Sequence, residues 1–272
     1  MTLVPAGDGL PARVVGVWAE EKLFYIERYI DIFSTGMKYK WKRRAYIDLF
    51  SGPGKDVVEG TTNEIDGSPL LALKTRSPFT DVYLNDIDPI ATSALRARAP
   101  ANSQMALTIR HLDCNTAARD AIGALQLDKA GTIGLAVVDP TGFQIQFDSL
   151  KALTVGRPID LIVTLMTGYL KRFIASPDLE RRLDPFFGSP RWRSLVDLKS
   201  AGQRVTFRHL LDFYEQQLRD IGYAHVDDDI RILNSNEATI YHLIFASKHP
   251  RGAEFFKKIS QRSFGGQRRL FA

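Results

Sequence analysis

Four acidic residues recur at one kind of place in this sequence, because each ends or follows a stretch typical of a buried strand. They are Asp48, Asp86, Asp113 and Asp139. The carboxyl ends of parallel strands meet at one edge of a sheet, and ligands of α/β proteins bind at that edge. Asp86, after the second strand, is placed to accept hydrogen bonds from both hydroxyls of a ribose. The spacing therefore predicts a site for a nucleotide-like ligand.

A glycine-rich turn, residues 50–54, follows the first of these strands. Its glycines let the backbone approach a ligand closely, and exposed N–H groups there can face a carboxylate or phosphate. The next helix begins only at Ser68-Pro69, and the third glycine of the dinucleotide fingerprint is missing. The Gly-Lys-Ser/Thr of a P-loop is also missing. The pattern therefore argues against NAD and against a P-loop nucleotidase.

The fourth predicted strand ends in a rigid turn, Asp139-Pro140-Thr141-Gly142-Phe143. A carboxylate at Asp139 can accept a hydrogen bond or a proton from an amine nucleophile. Asp113 could bind an adenine amine, and Asp88, before a proline, suits the cap of a helix. His111, Asp113 and Cys114 lie too close together in sequence to converge on a metal, so no metal site is predicted.

Alternation of apolar strands and helices predicts an α/β fold with a mostly parallel sheet of seven strands. The predicted strands cover residues 45–48, 81–85, 106–110, 132–138, 159–165, 224–233 and 239–246. The last two are joined by the short turn 234–237, so they form an antiparallel hairpin. A helix is expected from Val17 to Gly36. Residues 1–16 read as loose and residues 55–67 as a polar loop.

We divide the chain into four segments. Residues 1–44 are an N-terminal helical segment and residues 45–165 the α/β core. Residues 166–205 break the alternation and read as a mainly helical insertion, either for substrate recognition or as a packing subdomain with a basic face. Residues 206–272 complete the core with a helix and the hairpin, and end in a basic tail.

The formal net charge of +5 favours anionic partners, nucleic acid first, although modest positive charge also aids solubility. Basic residues next to aromatic ones give candidate nucleic-acid contacts, namely Lys40, Lys42, Arg43, Arg44, Arg191 and Arg193. The alternative is a solvated helix end around Trp41. A single cysteine excludes an internal disulfide and a cysteine-based zinc finger, and no stretch is long enough to span a membrane. We expect a cytoplasmic protein.

Strand–helix units followed by an antiparallel hairpin resemble the Rossmann-like S-adenosylmethionine-dependent methyltransferases. More narrowly, several motifs are similar to the three-Cys-motif partner protein family (TcmP). These motifs cover residues 46–54, 67–73, 113–115, 139–142 and 243–247, with the helix from Trp18 to Tyr29. That family is named for a partner resembling radical-SAM proteins. With one cysteine, this chain is not that partner.

The resemblance implies that S-adenosylmethionine binds along the carboxyl edge. It assigns the cofactor to Asp48, Phe50, Ser51, Gly52, Gly54, Ser68, Asp86, Asp88, Asp113 and Cys114. The glycine-rich turn would cradle the methionine part, Asp86 would hold the ribose, and Asp113 with Cys114 would flank the adenine. Asp139 and Pro140 would face the methyl group as the catalytic pair.

The fourth motif resembles the Asp-Pro-Pro-Tyr element of amino-group nucleic-acid methyltransferases but departs from it. Thr141 replaces the second proline, and Gly142 stands in place of the base-stacking aromatic residue, which Phe143 could supply from one position later. Asp-Pro-x-Gly is closer to the turn of guanine-N2 tRNA methyltransferases. Methylation of an amino group in RNA or DNA is thus the first hypothesis. The others are a methyltransferase of proteins or small molecules, and a non-catalytic cofactor-binding partner protein.

Overall fold

A computed structural model describes residues 2–100, 105–173, 177–195, 207–234 and 236–265. For residues 171–173, 177–180 and 207 it describes the backbone alone. Its main sheet has seven strands. They are β3 (Arg43–Asp48), β6 (Asp81–Asn85), β7 (Ala106–Arg110), β8 (Thr132–Val138), β9 (Ile159–Leu165), β10 (His225–Leu233) and β11 (Thr239–Ser247). All seven lie close to where the sequence predicts them.

The order of strands in the main sheet is β10-β11-β9-β8-β3-β6-β7. The five strands from β7 to β9 pair in parallel, whereas β11 is antiparallel to both β9 and β10. The chain runs outward from β3 through β6 to β7 and then returns to β8 on the other side of β3. The carboxyl ends of β3 and β8 therefore border the topological switch point, where open α/β sheets bind ligands.

Helices cover both faces of this sheet. They are α1 (Trp18–Met37), α2 (Ser68–Leu73), α3 (Pro89–Arg98), α4 (Cys114–Ala124), α5 (Phe147–Thr154), α6 (Thr167–Phe173), α7 (Pro177–Phe187), α8 (Phe207–Asp220) and α9 (Pro250–Ser260). Helices α4, α5, α7 and α8 pack on the face that Ala45 and Ile47 present, and α1, α2, α3 and α9 pack on the face of Tyr46. Alternate residues of β3 are thus buried on opposite sides, as a central parallel strand requires.

A second, four-stranded sheet is absent from the sequence prediction. It consists of β1 (Leu3–Pro5), β2 (Pro11–Val15), β4 (Lys55–Val58) and β5 (Glu64–Asp66). The expectations of a loose start and of a polar loop at residues 55–67 were therefore wrong. The strands are too short and too rich in proline and charge to be recognised locally, and β2 becomes a strand by pairing in parallel with β4, about forty residues later.

Two helices, α6 and α7, lie in the part of the predicted insertion that the structure describes, and residues 174–176 and 196–205 of the insertion lie outside that part. The side chain of Trp192, just after α7, is buried, and its ring stacks on Phe187. This segment joins the core on the same face as α5. Among the described residues, no helix is both long and apolar enough to cross a membrane.

Candidate functional site

An open cleft of about 510 Å³ lies at the carboxyl edge of the main sheet. Its walls come from the carboxyl ends of four neighbouring parallel strands and from one residue of the small sheet. The lining residues are Arg13, Leu49, Phe50, Asn85, Asp86, Ile87, Asp113, Cys114, Asp139, Thr141 and Gln144. Three of the four acidic residues singled out from the sequence are thus brought together. The cleft stands at the switch point between β3 and β8, as the sheet order requires.

The fourth acidic residue, Asp48, is fully buried beneath the glycine-rich turn rather than on the cleft wall. Its carboxylate accepts hydrogen bonds from the Phe50 amide (3.0 Å) and the Ser68 hydroxyl (2.6 Å). The Ser51 hydroxyl donates to the Asp48 carbonyl (3.2 Å). Burial raises the pKa of Asp48 to about 6. Asp48, Ser51 and Ser68 therefore fix the turn that carries Phe50 into the cleft.

Gly52 brings the turn against Asp86. Its φ of +60° suits glycine, and its N–H donates to the Asp86 carboxylate at 2.8 Å. A Cβ on Gly52 would lie 2.6 Å from Nη2 of Arg13. Gly54, with φ +92°, faces the core, where a Cβ would lie 3.0 Å from a methyl of Leu95. Gly52 thus packs against Asp86 and Arg13, which line the cleft.

Asp86 is held by three groups around the cleft. Besides the Gly52 N–H, its carboxylate accepts the Asp88 N–H at 2.9 Å and pairs with Arg13 at 3.3 Å. The Nε of Arg13 is buried without a hydrogen-bond partner among the described residues. Asp88 accepts the N–H of Ile90 at 2.8 Å and caps α3, away from the cleft wall.

The far wall of the cleft is the start of α4. Asp113 caps this helix by accepting the Asn115 N–H at 2.9 Å, and Cys114 is its first residue. Burial, and secondarily the charge of Asp113, raises the pKa of the Cys114 thiol to about 12. The thiol is therefore neutral at physiological pH and forms a small apolar surface. The amide of Asn85 donates to the carbonyl of Leu112, which ties the ends of β6 and β7 together.

Asp139 is paired with a lysine of α1. Nζ of Lys22 lies 2.5 Å from the Asp139 carboxylate, and both side chains are about 15% exposed. Although burial opposes the charge, Asp139 and neighbouring anions raise the pKa of Lys22, so the ammonium is retained. Asp56 of β4 lies in the same charged group, and burial raises its pKa to about 6 against the charges of Arg13 and Lys22. Pro140 is buried beside Asp139.

The aromatic residue after the turn does not face the cleft. Phe143 is 6% exposed and packs against Phe186 of α7 and Tyr169 of α6, with ring centroids 4.9 and 6.0 Å away. The expectation that Phe143 could stack on a base is therefore wrong, because the ring anchors the insertion on the turn. Tyr169 is 44% exposed beside it.

The predicted basic contacts are scattered, and four lie at the amino end of β3, opposite the cleft. Arg43 pairs with Asp81 at 2.5 Å, and Arg44 donates to the carbonyls of Pro78 and Trp41. Both guanidinium groups thus hold structure together. Lys40 and Lys42 are exposed at the same end. In the insertion, Arg193 forms an ion pair with Asp184 at 2.8 Å, and Arg191 is exposed nearby.

Sequence reasoning missed several charged or polar residues of the site, Gln144 of the cleft wall among them. Arg13 lies in the segment expected to be loose, Lys22 occupies a polar position of an amphipathic helix, and Asn85 ends a strand ahead of the more obvious Asp86. The run Pro11–Val15, with two valines, is the one signal that marks β2 as a strand. No local signal aims Lys22 at Asp139, because that contact joins residues 117 positions apart.

Comparisons with known proteins give a likeness in fold. No protein-family model matches the sequence, and no curated protein matches it. The structure is similar to protein LPL1258 from Legionella pneumophila, described as DUF519, with a TM-score of 0.53 and 12% identity over 87% of this chain and 89% of that one. Trm1 from Pyrococcus horikoshii, solved with S-adenosyl-L-methionine, gives a TM-score of 0.46 and 14% identity over 94% of this chain and 64% of that one. The first likeness shows a shared α/β fold alone, and the second is too low to carry an argument.

Proposed function

We propose that this protein is an S-adenosylmethionine-dependent methyltransferase. The observation that carries the proposal is the presence of a strand-end carboxylate and an arginine, Asp86 and Arg13, in one cleft at the switch point. The glycine-rich turn packs against them, and the buried Gly52 donates its N–H to Asp86. The carboxylate can accept hydrogen bonds from ribose hydroxyls, and the arginine can donate to an amino-acid carboxylate.

The residues of the cleft fit this cofactor by their donors and acceptors. Asp86 would accept hydrogen bonds from the ribose hydroxyls. The buried Nε of Arg13, which lacks a partner in the described part of the chain, would donate to the methionine carboxylate. Leu49, Phe50 and Cys114 offer an apolar surface for the adenine, and Asp113 lies beside it to accept from the exocyclic amine.

When bound, S-adenosylmethionine supplies a methyl group already activated on a sulfonium, so the protein mainly has to align a nucleophile with it. Asp139, on the cleft wall after β8, would accept a hydrogen bond or a proton from an amine nucleophile. The Lys22 ammonium pairs with the Asp139 carboxylate and holds it on the cleft wall.

We propose an amino group of nucleic acid as the substrate. The half-exposed ring of Tyr169 lies against Phe143, which follows the turn that carries Asp139, and a base could stack on its exposed face. Arg191 and Arg193 of the same insertion are candidate phosphate contacts. We also propose that the protein works with the partner that the family resemblance implies, a three-cysteine protein similar to radical-SAM enzymes.

Transfer of a labelled methyl group tests the proposed function. Purified protein is incubated with methyl-labelled S-adenosylmethionine and, separately, RNA, DNA and a protein extract. We expect label in RNA or DNA, a loss of at least about a hundredfold in Asp139→Asn, and unchanged cofactor binding by that variant. Label in the protein fraction would favour the protein methyltransferase. Cofactor binding without transfer to any pool, also with the three-cysteine protein added, would favour the non-catalytic partner.

A further inference from the structure

A second cleft, of about 630 Å³, opens at the amino edge of the main sheet, opposite the first. The end of α1 and the residues after it form one side, and the end of β11 with the first turn of α9 forms the other. Its apolar surface comes from Phe33, Met37, Ile133 and Phe255, with the half-buried indole of Trp41 beside them.

Basic side chains line the same cleft: Lys40, Lys248, His249 and Arg251. Lys248 is committed to the fold, since its ammonium donates to the carbonyls of Thr154 and Arg157. No hydrogen bond or ion pair joins the side chains of Lys40 and Arg251 to any residue that the structure describes. These two cations, from opposite walls, are therefore available to an anionic group.

One buried carboxyl group adds a polar feature to the apolar part. Asp160, at the start of β9, accepts a hydrogen bond from the Tyr29 hydroxyl at 2.7 Å. Gly252 of α9 packs closely over it, because a Cβ there would lie 3.1 Å from the Asp160 carboxylate and 2.2 Å from the Ser247 hydroxyl. Besides the donors that the fold supplies, a carboxyl group can accept from the N–H groups on the edge of a heterocyclic base, and the cleft is lined by Asp160.

We propose that this amino-edge cleft binds a nucleoside phosphate, either free or as a unit of a nucleic-acid strand. The base would lie against Trp41 and the apolar surface, and the phosphate would contact Lys40 and Arg251. Two residues of the basic–aromatic run around Trp41 thus act at this second site. The inference stands apart from the proposed methyl transfer, since the two clefts share no residue.

Calorimetric titration of the full chain with uridine 5′-monophosphate tests this proposal, because that probe lacks the adenine proposed for the other cleft. Uridine, inorganic phosphate and a short oligouridylate are titrated alongside. We expect saturable binding of the monophosphate that uridine does not match, and a roughly tenfold loss in Lys40→Gln and in Arg251→Gln. The matched control Lys42→Gln changes an exposed lysine outside the cleft and should leave binding unchanged.

Two further results complete the test. Binding should persist in Asp86→Asn, whose change lies in the first cleft, and tighter binding of the oligouridylate would mark the nucleotide as part of a strand. The proposal is overturned if neither the monophosphate nor the oligouridylate binds, if uridine binds as well as its phosphate, or if Lys42→Gln weakens binding as much as Lys40→Gln. Lys40 is exposed, so its variant keeps the test valid even if Arg251→Gln does not fold.

Discussion

At the scale of single residues, the cleft is shaped by cations from outside the main sheet. Arg13 of β2 pairs with Asp86, and Lys22 of α1 pairs with Asp139. Each basic side chain thus meets an acidic one that follows a parallel strand. Without these two cations, the negative charges of Asp86 and Asp139 would act on the buried carboxyl groups of Asp48 and Asp56 with little positive charge to offset the repulsion. The pairs therefore both stabilise the edge and fix the charge that a ligand meets.

The Lys22–Asp139 pair predicts a stability change. Lys22→Met keeps the apolar length but leaves a largely buried carboxylate unpaired, so we expect a loss of about 3 kcal/mol in the free energy of unfolding, measured with urea. Adding Asp139→Asn should recover most of it. Lys74→Met, which breaks an exposed pair with Asp66, should lose less than about 1 kcal/mol. Equal losses in the two single variants would contradict the account.

A pH dependence follows from Asp160, whose pKa burial raises to about 6. A carboxyl that holds its proton more tightly when folded stabilises the protein fully below pH 4, and that stability is lost as the pH rises from about 4 through about 6. Relative to wild type, Asp160→Asn should therefore gain about 3 kcal/mol in unfolding free energy across this window and stay constant above it. Urea unfolding at several pH values measures this, and a flat difference would refute it.

At the scale of elements, the turn after β3 depends on two glycines with different tasks. Gly52 donates its N–H to Asp86 on the cleft wall, whereas Gly54 lets the chain turn above α2 and α3. The buried Asp48 fastens this turn to the start of α2 through Ser68. A turn fixed in this way needs no helix directly after it, which explains how residues 55–67 can form strands of a second sheet.

Substitution of Gly54 tests how tightly the turn is packed. Gly54→Ala places a methyl group at φ +92° and 3.0 Å from Leu95, so we expect a loss of roughly 2–4 kcal/mol in unfolding free energy. The matched control Gly131→Ala has a similar φ of +80° but no atom within 4 Å, and should lose about 1 kcal/mol. If both variants lose the same amount, the packing argument is wrong.

At the scale of the whole molecule, the sequence predicts the main sheet well and the surroundings of the cleft poorly. Most of its strands are apolar runs that can be recognised locally, and Asp86, Asp113 and Asp139 follow such runs closely. Arg13 and Lys22 reach the cleft through pairings of β2 with β4 and of α1 with the sheet, and no local pattern encodes contacts at such separation. Arg43 and Arg44 resemble ligand contacts in sequence, but they form structural hydrogen bonds at the opposite edge of the sheet. Those bonds also depend on contacts that no local pattern encodes.

The central claim is that the first cleft binds S-adenosylmethionine with its ribose at Asp86 and its carboxylate at Arg13. Calorimetric titration with S-adenosylmethionine and with 5′-methylthioadenosine, which lacks the amino-acid end, tests both contacts at once. We predict that Arg13→Met weakens S-adenosylmethionine at least about tenfold and leaves methylthioadenosine unchanged, whereas Asp86→Asn weakens both and the control Asp88→Asn weakens neither. Absence of saturable binding by the folded wild-type chain, or equal effects of Asp86→Asn and Asp88→Asn, would contradict the account.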